Sequence, residues 1–139
     1  MSMTSEEMFE VFQDFNPRDH EEEVEERWGG TEEYRQSKER TTRYTKQDWL
    51  KIKEEGGQIY NRLLALMEAG TPPSATEAMD AAEAHRQHIS RWFYDCSRAI
   101  HRGLGQGYVD DRRFTAFFDK IKPGLAQYCC DSFRANSER

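Results

Sequence analysis

From Thr45 to Phe133 the apolar residues recur at three- and four-residue intervals, and no stretch alternates apolar and polar side chains as a half-buried strand does. Trp49, Ile52, Gly56, Ile59, Tyr60, Leu63, Leu66 and Met67 fall on helical spacing, opened by the capping signal Thr45-Lys-Gln-Asp48 and closed by Gly70. Further start signals stand at Thr4-Ser-Glu-Glu7, Asn16-Pro17, Thr31-Glu-Glu and Asp110 or Asp111. Phe114, Phe117, Phe118 and Ile121 continue one helix, and Pro123-Gly124 leads into a last one with Leu125, Tyr128, Cys129 and Phe133. The pattern predicts an all-α fold.

Length predicts one domain. With 36% of the chain hydrophobic and 12% aromatic, the core must be small and carried by aromatic rings. Residues 1–30 hold ten acidic side chains against two basic, Arg18 and Arg27. The charged, loosely patterned residues 1–45 are expected to form a helical arm, marginal without something to pack on, beside a helical core over 46–139. An acidic end and the lack of a basic, aromatic-interleaved stripe argue against direct nucleic-acid contact. No run of about 18 apolar residues and no basic-then-apolar leader is present, so no membrane partner is expected. Three cysteines, two of them adjacent (Cys129, Cys130), make a poor disulfide framework and predict a reduced, cytoplasmic protein.

The richest segment is residues 83–108, EAHRQHISRWFYDCSRAIHRGLGQGY. If it is helical to Ile100, His85, His88, Ile89, Trp92 and Cys96 share one stripe, Tyr94 and His101 point to the opposite side, and Gly103–Gly107 form a break. His85 and His88 have no second ligand pair at a recognisable spacing, so no metal is expected. Cys96 with His88 or His101 as base lacks an oxyanion or third-residue signature, so neither catalysis nor a cofactor is expected. Trp92, Phe93, Tyr94, Tyr108, Phe114, Phe117 and Phe118 supply more aromatic surface than so small a core requires. Two readings stay open for them, plain core and the lining of a ligand pocket.

Several blocks resemble the TipAS antibiotic-recognition domain, the C-terminal drug sensor of TipA-type MerR-family activators. They are YRQSKERTTRYTKQDW (34–49), AMDAAEAHRQHI (78–89), YDC (94–96), LGQGYVDDRRFT (104–115) and IKPGLAQY (121–128), with SEEMFEVFQDF (5–15) and EEEVEERWG (21–29) at the arm. The resemblance implies a globin-like helical domain whose mobile arm folds over a bulky natural product, such as a thiopeptide. It implies a pocket between the arm and the helix carrying His88 and Trp92, closed by Tyr108 and Phe114. Trp92 and Phe93 would give apolar surface, His88 and His101 directional contacts, and Trp28, Tyr34 and Tyr44 would come from the arm.

In the family's covalent drug-trapping members a cysteine stands seven residues beyond the position of Cys96. Here that position is Gly103, so reversible binding is expected, with Cys96 structural and Gly103 leaving room for the ligand. A winged-helix DNA-binding part and a homodimer belong to the longer regulators and are not expected of these residues alone. Two rival readings remain: an interaction domain that docks through its arm, and a globin-like tetrapyrrole binder using His88.

Overall fold

The computed structural model describes residues 31–139, and these form six α-helices with no strand among them. They are α1 (Glu32–Thr41), α2 (Lys46–Glu68), α3 (Thr76–Trp92), α4 (Arg98–Asp110), α5 (Arg112–Ile121) and α6 (Leu125–Glu138). The helical boundaries expected at residues 1–30 lie outside the described residues. No described helix is long and apolar enough to cross a membrane.

Most helix ends follow local chemistry. The Thr31 side chain accepts the Tyr34 amide at the start of α1, which carries Glu32 and Glu33 in its first turn and Lys38 and Arg40 in its last, matching the helix dipole. Thr45 and Asp48 form a reciprocal box before α2: each backbone N–H donates to the other's side chain, at 3.0 and 3.2 Å. Gly70 ends that helix with φ +76°, and the Thr71 amide reaches back to the Leu66 carbonyl. The Asp111 side chain caps α5 through the Arg113 amide.

One expectation is reversed. The helix bearing His85 and His88 stops at Trp92 rather than running to Ile100. The chain turns through Phe93–Ser97, Ser97 caps a new helix by accepting the Ile100 amide, and α4 continues through Gly103, Gly105 and Gly107 without a break. At Gly105 packing offsets the poor helix propensity of glycine: an added Cβ would lie 2.9 Å from Phe133 Cδ2 and 3.2 Å from Cys130 Cα, so the absence of a side chain lets α4 and α6 approach closely there. Cys96 therefore sits in a linker, off any stripe with His85 and Trp92.

The chain divides into two compact units, Met1–Gly57 with His88–Asp95, and Gln58–Gln87 with Cys96–Arg139. In the first, buried Trp49 and Ile52 pack with Tyr44, Trp92 and Phe93. The second holds a larger core of Leu63, three α3 alanines (Ala78, Ala81, Ala82), Tyr108, Phe118, Leu125, Tyr128 and Phe133. The alanines let α3 lie close to its neighbours, and the aromatics supply most of the buried area.

Candidate functional site

In the first unit, four rings meet where α2 begins and α3 ends. Tyr44 stands edge-on to Trp49 and to Trp92, with centroids 5.8 and 5.6 Å apart, and Trp49 lies 6.2 Å from Phe93. The Tyr44 hydroxyl donates to the Trp92 carbonyl, which the end of α3 leaves without a helical partner. Below the rings, Glu55 Oε1 accepts from Trp92 Nε1 at 3.2 Å and Arg91 Nη1 at 3.1 Å, and His88 Nδ1 lies 3.4 Å away. Burial by itself would raise the Glu55 pKa, but hydrogen bonds from Trp92 and His88, together with the charge of Arg91, hold it below the usual carboxylate value. Burial lowers the His88 pKa and favours its neutral ring. The ring lies against α2 at Gly56, where a Cβ would sit in ordinary contact, 3.4 Å from His88 Nε2.

This face consists of half-buried Tyr44, Trp92 and Phe93 packed around buried Trp49, beside one anchored carboxylate. Such a surface suits a large, flat, mostly apolar ligand, with few polar groups to fix its orientation. Helix α1 is held here by Arg40, which donates to the Ser90 carbonyl and to Asp95, both at 2.9 Å. Gln36 Oε1 adds a bond from the Asp95 amide at 2.8 Å. Tyr34 is half-buried on α1, with Lys38 Nζ 5.9 Å from its ring centroid.

The second unit contains a buried polar chain. The Tyr60 hydroxyl lies 3.0 Å from the Tyr108 hydroxyl and 2.8 Å from His85 Nε2, and His85 Nδ1 lies 2.8 Å from His101 Nε2. His101, expected on the opposite side from His85, is its hydrogen-bond partner, because the helix break after Trp92 turns α4 back against α3. Its ring stacks on Phe133 with centroids 3.9 Å apart, and burial brings its pKa down to about 3. Phe114 is exposed on α5, 6.2 Å from the Tyr108 ring. Cys96 is buried, and its carbonyl accepts from Arg86 Nη1 at 2.7 Å. Gly103 faces open space on α4.

The expected residues thus fall into two groups. Tyr44, His88, Trp92 and Phe93 come together around Glu55, with Tyr34 elsewhere in the same unit. His101 and Tyr108 are joined through Tyr60 and His85 in the other unit, which also holds Cys96, Gly103 and Phe114. Trp28 lies outside the described residues. Glu55, Tyr60 and Arg40 were missed. Glu55 had a readable signal, an acidic residue three after Ile52 and four before Ile59, on the apolar stripe of α2.

Comparison with known proteins places these features. A family model for the TipAS antibiotic-recognition domain matches residues 20–136. The chain is 53% identical over 139 residues to the HTH-type transcriptional activator TipA of Streptomyces coelicolor, covering 100% of this chain and 55% of that protein. It is 38% identical over 99 residues to the activator mta of Bacillus subtilis, covering 71% of this chain and 38% of mta. Among solved structures, TipAS from Streptomyces lividans in complex with nosiheptide aligns with TM-score 0.91 and 53% identity, over 100% of this chain and 97% of that one. The antibiotic-binding domain of a TipA-class multidrug resistance regulator aligns with TM-score 0.61 and 48% identity, over 66% and 97%. The chain spans about half the length of the TipA activators it matches. With its helical architecture and a family match over most of its length, the chain belongs to the TipAS antibiotic-recognition domain family.

Proposed function

We propose that this chain is the drug-binding part of a TipA-like transcriptional regulator, and that it binds thiopeptide or similarly bulky natural-product antibiotics reversibly, without catalysing a reaction on them. The observation that carries this reading is the 53% identity over the whole chain to a TipAS domain solved with nosiheptide. In this reading Tyr44, Trp92 and Phe93 provide the apolar face, with Trp28 and Tyr34 contributed by the arm over residues 1–45, which closes on the ligand. His88 is the candidate polar contact on this face; His101 and Tyr108 are buried in the core of the other unit and Phe114 is exposed there, so none of the three is assigned to it. Gly103 has no nucleophile to offer, and its open surroundings leave a cysteine's usual place empty of chemistry. DNA contact, dimerisation and a cytoplasmic location follow only for a longer regulator that contains these residues.

A titration with nosiheptide, read by tryptophan emission and by intact-mass spectrometry, tests the proposal. Saturable quenching with an unchanged protein mass is expected, because Trp49 and Trp92 belong to the ring cluster. No spectral or calorimetric response at the antibiotic's solubility limit would reject binding. A protein–drug adduct would reject reversibility.

A further inference from the structure

Among the described residues, three side-chain atoms are buried without a hydrogen-bond partner in the protein: His101 Nδ1, Asn136 Oδ1 and Ser132 Oγ. Leaving such a group unsatisfied is costly, so three in one small unit call for an explanation. All three lie on the facing helices α4 and α6. The pair is antiparallel: Arg98 donates to the Arg139 carbonyl at one end, Gly105 meets Phe133 in the middle, and Arg134 donates to Gln106 beyond it. This register sets His101 level with Asn136, and Ser132 is one turn from Asn136 on the same face of α6.

Both residues are also tied to one turn of α3. His101 Nε2 meets His85, and Asn136 Nδ2 donates to Glu83 Oε1 at 3.0 Å. Arg86, bonded to Glu83 at 2.9 Å through Nε, keeps that carboxylate ionised far below its usual range, with Asn136 and Gln87 adding to the effect. An ionised carboxylate accepts only, so the Asn136 amide must turn its NH2 toward Glu83 and its oxygen away. Oδ1 is left as an acceptor seeking a donor, at the level of a ring nitrogen that also lacks a partner.

We propose that a single internal water bridges His101 Nδ1 and Asn136 Oδ1, with Ser132 Oγ as its third contact, and completes a hydrogen-bond relay from Tyr108 to Glu83. A ring N–H, an amide oxygen and a hydroxyl at one level of the α4–α6 pair are the usual surroundings of a buried water, which makes about three hydrogen bonds. The carboxylate at the far end sets the relay's direction, because every dipole aligned toward it strengthens the next. Tyr108 donates to Tyr60, Tyr60 to His85 Nε2, His85 Nδ1–H to His101 Nε2, His101 Nδ1–H to the water, the water to Asn136 Oδ1, and Asn136 to Glu83. Each histidine is then neutral, with its proton on Nδ1. The relay ties the two tyrosine hydroxyls to the Glu83–Arg86 pair that also holds the Cys96 carbonyl.

Two measurements on the unmodified protein test this. Long-range 1H–15N correlation of the imidazoles at pH 7 should show His85 and His101 both protonated at Nδ1 and bare at Nε2. A high-resolution crystal structure should show a solvent peak about 2.6–3.2 Å from both His101 Nδ1 and Asn136 Oδ1. A His101 ring protonated at Nε2, a charged imidazolium, or a direct Nδ1–Oδ1 contact with no solvent between would each overturn the proposal. None of these readouts involves antibiotic binding, so the inference stands or falls separately from the proposed function.

Discussion

A methyl group at Gly105 would meet Phe133 Cδ2 at 2.9 Å, Cys130 Cα at 3.2 Å and Phe133 Cβ at 3.3 Å. One of these atoms is backbone, and the other two belong to the Phe133 side chain, whose ring is wedged against His85, His101 and Tyr108, so the neighbours have little freedom to give way. Two residues earlier, Gly103 lies on the same helix with nothing within 4 Å of the corresponding position. The two glycines therefore predict opposite effects of one chemical change. Gly105→Ala should destabilise by about 1–3 kcal/mol through overpacking. Gly103→Ala should stabilise by about 0.5–1 kcal/mol, because alanine loses less backbone freedom on entering a helix. Urea unfolding of both variants checks the pair, and equal shifts of the same sign would show that the α4–α6 approach is looser than described.

Helix α1 has no buried residue, so its place in the first unit depends on a few directed bonds rather than on apolar burial. Arg40 carries two of them, to the Ser90 carbonyl and Asp95. Arg40→Met keeps much of the apolar stem and removes both. The loss should lower local stability by about 1–2 kcal/mol, the bond to the carbonyl counting more than the exposed ion pair. Amide hydrogen exchange should then speed up in α1 and stay unchanged in α6, whereas unaltered α1 protection would mean that other contacts hold it. The same contrast between local and distant causes explains which elements were legible in the sequence. Thr31, the Thr45–Asp48 box, Gly70 and Asp111 act on their own few residues, and the helix ends they mark were readable. The break after Trp92 and the unbroken α4 were not, because Gly103, Gly105 and Gly107 resemble a turn until the close α6 contact at Gly105 is known. The same error placed His101 opposite His85. Of the candidate site, the aromatic face around Trp92 was readable from ring density. The pairing of His101 with His85, and the part played by Tyr60, depend on helices meeting in space and had no local signature.

At the scale of the whole molecule, titration sets the pH range over which the fold is most stable, and buried groups in the second unit bound it on both sides. His101 is held neutral by burial, its pKa brought from 6.5 to about 3 even with the Glu83 carboxylate nearby and with Arg86 pushing it further down. In the unfolded chain the same ring gains a proton below about pH 6.5. Between those values the unfolded state binds more protons, so stability falls as pH drops, by about 1.4 kcal/mol per pH unit where the difference is a full proton. His88, also lowered by burial, acts in the same direction, and below the ordinary carboxylate range protonation of Glu83 removes its bonds to Arg86 and Asn136 as well. On the alkaline side, burial pushes the Cys129 thiol from 9.0 up to about 12, with Cys130 beside it adding to the rise. Unfolded Cys129 loses its proton above about pH 9 while the folded thiol keeps it, so the unfolded state binds fewer protons and stability falls as pH rises. Chemical denaturation across pH 4–10 should therefore show a plateau between about pH 6.5 and 9, with a decline on each flank. Cys129→Ala should be less stable throughout, from the lost buried sulfur, yet its alkaline flank should be shallower than the unmodified protein's. His101→Gln should in the same way flatten the acid flank. Unchanged slopes in the two variants would assign the flanks to other groups.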